Sequence, residues 1–197
     1  MVKRTVGTTL AATQLASTTR TSIDIADSQY ASVQIVYSDI APAAKTFADA
    51  DVDVTANTIA IASHGYVTGT KVAATTSGVL PGGLSTTNYY VIKVSASSIK
   101  LASSLANAEA GTAVDITSAA GGGTHTLTPA TSASNVAKLQ ESNDGTNWTD
   151  VASATATIAT TAGNAVWEYT RSARYLSVLY TPSAGQVSLA IYTSLVR

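Results

Sequence analysis

The reactive inventory of this chain is short: two histidines, twelve carboxylates and no cysteine. His64 and His125 each sit beside glycine or threonine where a strand would end. A zinc-type site would need both to converge with a carboxylate, and Asp51, Asp53 and Asp115 are the candidates, yet no HExxH or comparable ligand spacing is present. Asp49, Asp51 and Asp53 recur at period two. On a strand they would share a face and suit a hard cation, but the glycine and terminal glutamate of a calcium loop are missing, and a solvated strand face explains them as well. No G-x-S-x-G element marks a nucleophile. The glycine runs VLPGGLST and AAGGGTHT lack the lysine of a phosphate loop and read as hairpin loops. A glycan hydrolase would need a carboxylate pair. Asp144 and Asp150 flank Trp148, but a turn accounts for both. Trp148, Trp167, Tyr169, Tyr175 and Tyr180 gather in the last third of the chain. Exposed, they would form a platform for sugar rings; inward, a sandwich core. The reading is therefore no catalytic residue, no metal ligand and no cofactor.

These side chains must be positioned by strands. Leu139–Val151, LQESNDGTNWTDV, reads as strand, tight turn, strand. Ser142, Asn143, Asp144, Gly145, Thr146 and Asn147 make the turn: Asp and Asn bond their own backbone, and glycine supplies a positive φ. Trp148 then folds back onto a sheet face. In SVQIVYS, Val33, Ile35 and Tyr37 alternate with Gln34 and Val36, a half-buried strand. NYYVIKV alternates as cleanly. Further strands are expected at 51–54, 58–62, 71–75, 98–101, 112–116, 124–128, 155–158, 165–169, 174–180 and 186–195. The one short helix is expected in 103–111, capped by Ser103 or Ser104 and ended by Gly111. Residues 1–21 carry no period and read as an extended arm of the kind a neighbouring subunit holds in place.

Composition agrees with an all-β protein. Ala, Thr, Ser and Val dominate, Glu occurs only at 109, 141 and 168, and strong helix formers are scarce. Charged residues are 12% of the chain, about half the usual share, and the net charge is −1. No basic stripe suggests nucleic acid. No apolar run suggests a membrane span. The threonine-broken N-terminus does not read as a signal peptide. Low charge suits a subunit packed among others.

Two stretches carry a resemblance. The segment ANTIAIASHGYVTGTKVAATTSGVLPGGLSTTNYYVIKVSASSIKLASSLANAEAGTAVDIT resembles a small β module of tailed-bacteriophage structural proteins, also similar to a β domain of ubiquitin-activating enzymes. Its marks here are His64-Gly65, Gly69–Val72, Leu80–Leu84, Tyr89–Ile92 and Leu101–Ala108. The second stretch, VQIVYSD with AKLQESNDGTNWTDV and ARYLSVLYTPSAGQVSLAIY, is similar to a β-sandwich of phage virion proteins in which the first strand runs directly into the SNDGTNW hairpin. Here a long segment intervenes.

The organisation expected is a jelly-roll-like β-sandwich, 22–46 and 130–197, split by an inserted small β-barrel-like domain, 47–129, behind an N-terminal arm, 1–21. The resemblance implies a non-enzymatic virion protein assembled in a host cytoplasm. A capsid decoration or head accessory protein comes first; a neck or tail adaptor, a fibre-attachment protein or a carbohydrate-binding module are the alternatives. Its partners would be the major capsid protein or neck and tail subunits, and further copies of itself. Lys3, Arg4, Arg20, Trp167 and Arg197 are the candidate interface residues.

Overall fold

The computed structural model describes residues 4–39, 42–119, 121–131, 135–158, 161–183 and 185–196. It is 55% strand and 4% helix. The chain divides into two compact units. The first comprises Met1–Asp39, Ser132–Ser183 and Val187–Arg197, and the second comprises Ile40–Thr131 with Ala184–Gln186.

The first unit is made of strands whose alternation sorts side chains to two faces. These are β1 (Arg4–Leu15), β2 (Thr19–Asp24), β3 (Tyr30–Asp39), β11 (Asn135–Ser142), β12 (Thr149–Ile158), β13 (Gly163–Thr170), β14 (Tyr175–Thr181) and β15 (Val187–Val196). They form two four-stranded antiparallel sheets, ordered β1-β15-β3-β13 and β12-β11-β14-β2. Counted within this unit alone, the orders are 1-8-3-6 and 5-4-7-2. That is the double-sheet jelly roll. Between the sheets lie Val33, Ile35, Leu139, Ile158, Trp167, Leu176, Val178, Tyr180, Leu189 and Ile191, all buried. Each such side chain contributes about 1.5–3 kcal/mol by leaving water.

The arm expected over 1–21 is corrected here. Arg4–Leu15 is the first strand of the jelly roll, antiparallel to β15 from Arg4↔Val196 to Leu15↔Val187, with irregularities after Thr8 and Leu10. Thr19–Asp24 is an edge strand of the other sheet, paired with β14. Residues 4–15 are held by β15 and residues 19–24 by β14, strands of the same chain. Its threonines and alanines show no period because an edge strand of small residues buries little on either face.

The second unit is one open, half-barrel sheet. Its strands are β4 (Lys45–Phe47), β5 (Val52–Asp53), β6 (Thr58–Ala60), β7 (Lys71–Thr76), β8 (Asn88–Lys93), β9 (Ser98–Ala102) and β10 (His125–Pro129), in the order β4-β10-β7-β8-β9-β6-β5. Its segment starts earlier than residue 47 because β4 pairs with β10 through His125↔Phe47 and Leu127↔Lys45. The helix is α1 (Leu105–Glu109). The Ser104 hydroxyl caps it by accepting the Asn107 N–H at 3.1 Å. The unit has its own core of Phe47, Ile59, Tyr66, Val72, Val91, Ile99, Leu101, Ile116 and Leu127.

Candidate functional site

The SNDGTNW turn is built on one carboxylate. Asp144 Oδ1 accepts the backbone N–H groups of Thr146 and Asn147, each at 2.8 Å, and the Ser142 hydroxyl at 2.9 Å. Its Oδ2 accepts the Asn147 amide at 2.7 Å. The Ser142 oxygen in turn accepts the N–H of Gly145 at 3.0 Å. Gly145 holds φ +74 with its α-carbon beside the Tyr175 ring. The bonds from Asn147 and Thr146 hold the Asp144 carboxyl well below the usual carboxylate range. A permanently ionised, fully engaged carboxylate is no proton donor.

Next to the turn, Tyr169 locks a second loop. Its hydroxyl donates to Glu141 Oε2 at 2.5 Å and accepts the N–H groups of Ser172 and Ala173 at 3.1 and 2.9 Å. Ser172 adds a hydroxyl bond to the same Glu141 oxygen at 2.6 Å. Between turn and loop lies a shallow depression of about 320 Å³ lined by Glu141, Ser142, Asn143, Asp144, Asn147, Thr149, Ser172 and Ala173. Of its two carboxylates, Asp144 holds backbone N–H groups and Glu141 holds the Tyr169 and Ser172 hydroxyls.

The outer face of the β12-β11-β14-β2 sheet carries a polar network. Arg20 donates to Gln140 Oε1 at 2.5 Å and to Ser177 Oγ at 2.8 Å, and its guanidinium lies 4.8 Å from the centre of the Trp148 ring. Asp150 accepts Lys138 Nζ and the Gln140 amide, both at 2.6 Å. The Lys138 bond, then the Gln140 bond, lowers the Asp150 pKa. Arg174 reaches Asp24 at 3.3 Å across neighbouring strands, and that carboxyl is lowered too, chiefly by the Ala26 N–H. Asp144 and Asp150 thus both favour the charged form, whereas a glycosidase acid needs a raised pKa.

The outer face of the β1-β15-β3-β13 sheet is different. Its rows read Thr8–Tyr192–Gln34–Val166 and Val6–Ser194–Ser32–Glu168 across the four strands. Val6 is 67% exposed, Tyr30 52%, Val166 51%, Val36 40% and Tyr192 38%, unusually open for large apolar side chains. At the outward-facing positions of β3, β13 and β15, Glu168 is the one charged residue; Arg4, at the start of the edge strand β1, pairs with Val196 in the row beyond.

In the second unit both histidines are structural pins. His64 Nδ1 accepts the Tyr66 N–H at 2.9 Å, so Nε2 carries the proton donated to the Ser95 carbonyl at 2.8 Å. Tyr66 is wholly buried, and its hydroxyl donates to the Leu127 carbonyl at 3.1 Å; burial pushes its pKa up to about 12. His125 joins Asp49 through Nε2 at 2.9 Å and Thr76 through Nδ1 at 2.8 Å. This is a Thr-His-Asp chain, but His125 is fully buried and both ring nitrogens are engaged, so no nitrogen remains to take a substrate proton. Asp49 also accepts the N–H groups of Gly121 and Gly122 at 3.2 and 2.7 Å. The glycine-run amides that might cradle a phosphate therefore hold a side chain of the same chain. His125, then Gly122, keeps the Asp49 carboxyl below its ordinary pKa.

The candidates from the sequence fall out as follows. Asp49, Asp51 and Asp53 do not line one strand face. They straddle a 3-10 turn, Asp49–Asp51, and the two-residue β5, because Asp51 and Asp53 turn back to accept the N–H groups of Ala48 and Ala56. Among the described residues no three His, Cys, Asp or Glu side chains gather to hold a metal, and no helix is long and apolar enough to cross a membrane. Trp167 is corrected as an interface residue: at 8% exposure it belongs to the sandwich core, since β13 turns Trp167 and Tyr169 inward and Val166 and Glu168 outward. Trp148 is half-buried, with the Arg20 guanidinium over its ring. Arg20 is the candidate placed on a polar surface network. Lys3, Arg197 and the side chain of Arg4 lie outside the described residues. The nearly uncharged exposed face was missed by reading residues singly; its signal was the uncharged member of each alternating pair in β3, β13 and β15.

No family model matches the chain, and no curated protein matches it. Among solved structures it is similar to the STIV MCP, at 14% identity and a TM-score of 0.28, over 98% of this chain and 48% of that one. A second likeness, to a chain from the triple jelly roll fold and turret assembly of an archaeal virus, has 8% identity and a TM-score of 0.19, over 97% and 59%. The chain thus spans about half the length of the first and less than two thirds of the second. TM-scores this low do not establish a shared fold, and the jelly roll rests on the strand order.

Proposed function

We propose that this chain is a non-enzymatic structural protein of a virus particle of the tailed-phage kind, serving as a capsid decoration or head accessory protein. The observation that carries the reading is the division of labour among its side chains. Apart from Glu168, the carboxylates and histidines placed above are committed to turns, pins and ion pairs, while one broad sheet face is left open and almost uncharged. That is a surface for contact and not for turnover. Jelly rolls serve viral capsids, lectins and cupins alike, so the fold alone does not choose. The resemblance of 56–117 to a phage structural module, and of the SNDGTNW stretch to phage virion sandwiches, favours the first of these. Burial of Trp167 and the covering of Trp148 by Arg20 weigh against the sugar-binding alternative.

In this reading the jelly roll, including its N-terminal strand, buries surface against capsid subunits. Two measurements test it: binding of the purified chain to expanded shells that lack it, and its copy number in intact particles by quantitative mass spectrometry. Saturable binding with hundreds of copies is expected. A dozen copies or fewer would move the chain to the neck or tail, where it would act as an adaptor. Absence from particles would overturn the virion reading.

A further inference from the structure

The open face of the β1-β15-β3-β13 sheet has a shape of its own. One row presents Tyr192 and Val166 around Gln34. The next row outward-facing along the same strands is lined by Ser32 and Ser194, and beyond it stands Tyr30. The small serines leave hollows. One, of about 130 Å³, lies among Val6, Ser32, Gln34, Val166, Tyr192 and Ser194. Another, of about 240 Å³, lies among Tyr30, Ser32, Glu168, Ser194 and Val196. Knobs and hollows therefore alternate at the spacing of two residues, about 7 Å along the strand.

We infer that this face packs against the same face of a second copy of the chain, about a two-fold axis lying in the interface between the Gln34 row and the Ser32 row. Three observations single out a second copy as the occupant. First, a two-fold axis between the rows sets the Tyr192 knob of each copy over Ser194 of the other and Gln34 over Ser32, so the two central strands are self-complementary, with Glu168 left to the β13 rim. Second, the outward positions of β3, β13 and β15 carry Glu168 alone among charged residues, so the middle of the face offers no charge pattern for a partner of opposite sign to read, and little repulsion to a copy of itself. Third, the area suffices. Four strands about 4.8 Å apart and about 27 Å long give about 500 Å² of sheet plane per copy, or about 1,000 Å² for two, the lower bound for a specific interface. Sheets packed this way sit about 10 Å apart.

The test uses the purified full chain, with no particle present, so its failure is separable from failure of the virion reading. Sedimentation velocity over a range of concentrations is expected to show a reversible dimer. Tyr192→Lys places a charge against its own copy and should weaken the dimer tenfold or more; the position is exposed, so folding is not at stake. Thr157→Lys, on the outer face of the other sheet, should leave it intact. Because the chain has no cysteine, single-cysteine variants give a second readout. Sheets about 10 Å apart are too far for a direct disulfide, so a bis-maleimide spanning about 12 Å is the probe: it should cross-link Gln34→Cys into a dimer and leave Thr157→Cys uncoupled. A wild-type monomer at every concentration with no Gln34→Cys cross-link overturns the proposal. So does an oligomer that Tyr192→Lys leaves unchanged. A larger assembly supports it only when Gln34→Cys cross-links within it.

Discussion

Two sheets share one core in the jelly roll, and their outer faces are built from different chemistry. The β12-β11-β14-β2 face ties Arg20, Gln140, Ser177, Lys138 and Asp150 into one network, with Arg174 and Asp24 at its end. The β1-β15-β3-β13 face holds valines, tyrosines and serines around Glu168. A low overall charge is thus not spread evenly. Within the jelly roll it favours the β12-β11-β14-β2 sheet and its loops, where ion pairs keep water as a neighbour, and leaves Glu168 as the one charged residue facing outward from β3, β13 and β15. A satisfied polar network resists docking because its groups must be desolvated on contact, whereas a bare face has little to lose.

The sharpest way to break this contrast uses adjacent residues of β13. Trp167→Ala removes a buried ring and should cost about 3–5 kcal/mol. Val166→Ala, one residue away on the open face, should cost less than about 0.5 kcal/mol. Chemical denaturation of both variants checks the pair. Equal costs would mean that β13 is not sorted into a core side and a free side.

A smaller effect separates the faces by pH. Asp144, Asp150 and Asp24 all have folded-state pKa values lowered by hydrogen bonds. A depressed carboxylate stabilises the fold above its unfolded pKa of about 3.9, and that contribution is lost as pH falls through the folded value. Denaturation midpoints should therefore fall as pH drops below about 4, and Asp144→Asn should flatten that fall. An unchanged acid profile would show that the turn carboxylate does not couple to folding. Neither histidine lies on the open face, so the dimer expected there should be nearly insensitive to pH between 6 and 8.

The smallest effect is expected at Arg20. Arg20→Ala should cost about 1–2 kcal/mol, because it removes the cation–π contact and the hydrogen bonds to Gln140 and Ser177 together. Its clearer sign is optical: acrylamide should quench Trp148 fluorescence more strongly once the guanidinium no longer covers the ring. Unchanged quenching would show that Trp148 is shielded by something else.

Much of the fold was legible without coordinates. Val33, Ile35 and Tyr37 announced β3 by alternation, Asp144 and Gly145 announced the turn by their backbone preferences, and Ser104 announced the helix cap. These are local effects, decided within a few residues of chain. The Asp49–His125–Thr76 pin was not legible, because its members are 76 and 49 residues apart and meet only when β4, β7 and β10 lie side by side. The interface candidates failed for a related reason. In NAVWEYT both faces of the strand hold apolar residues, so periodicity places Trp167 opposite Val166 but cannot say which of them faces inward.

The sequence by itself determined an all-β chain with its turns in place, because strand alternation and turn chemistry act between neighbours. Only the tertiary structure decided that residues 4–15 form the first strand of a jelly roll, that Trp167 is core, and that one outer face is left without a charge network. Those outcomes depend on which strand pairs with which, and pairing between the two ends of a chain leaves no mark on either end alone.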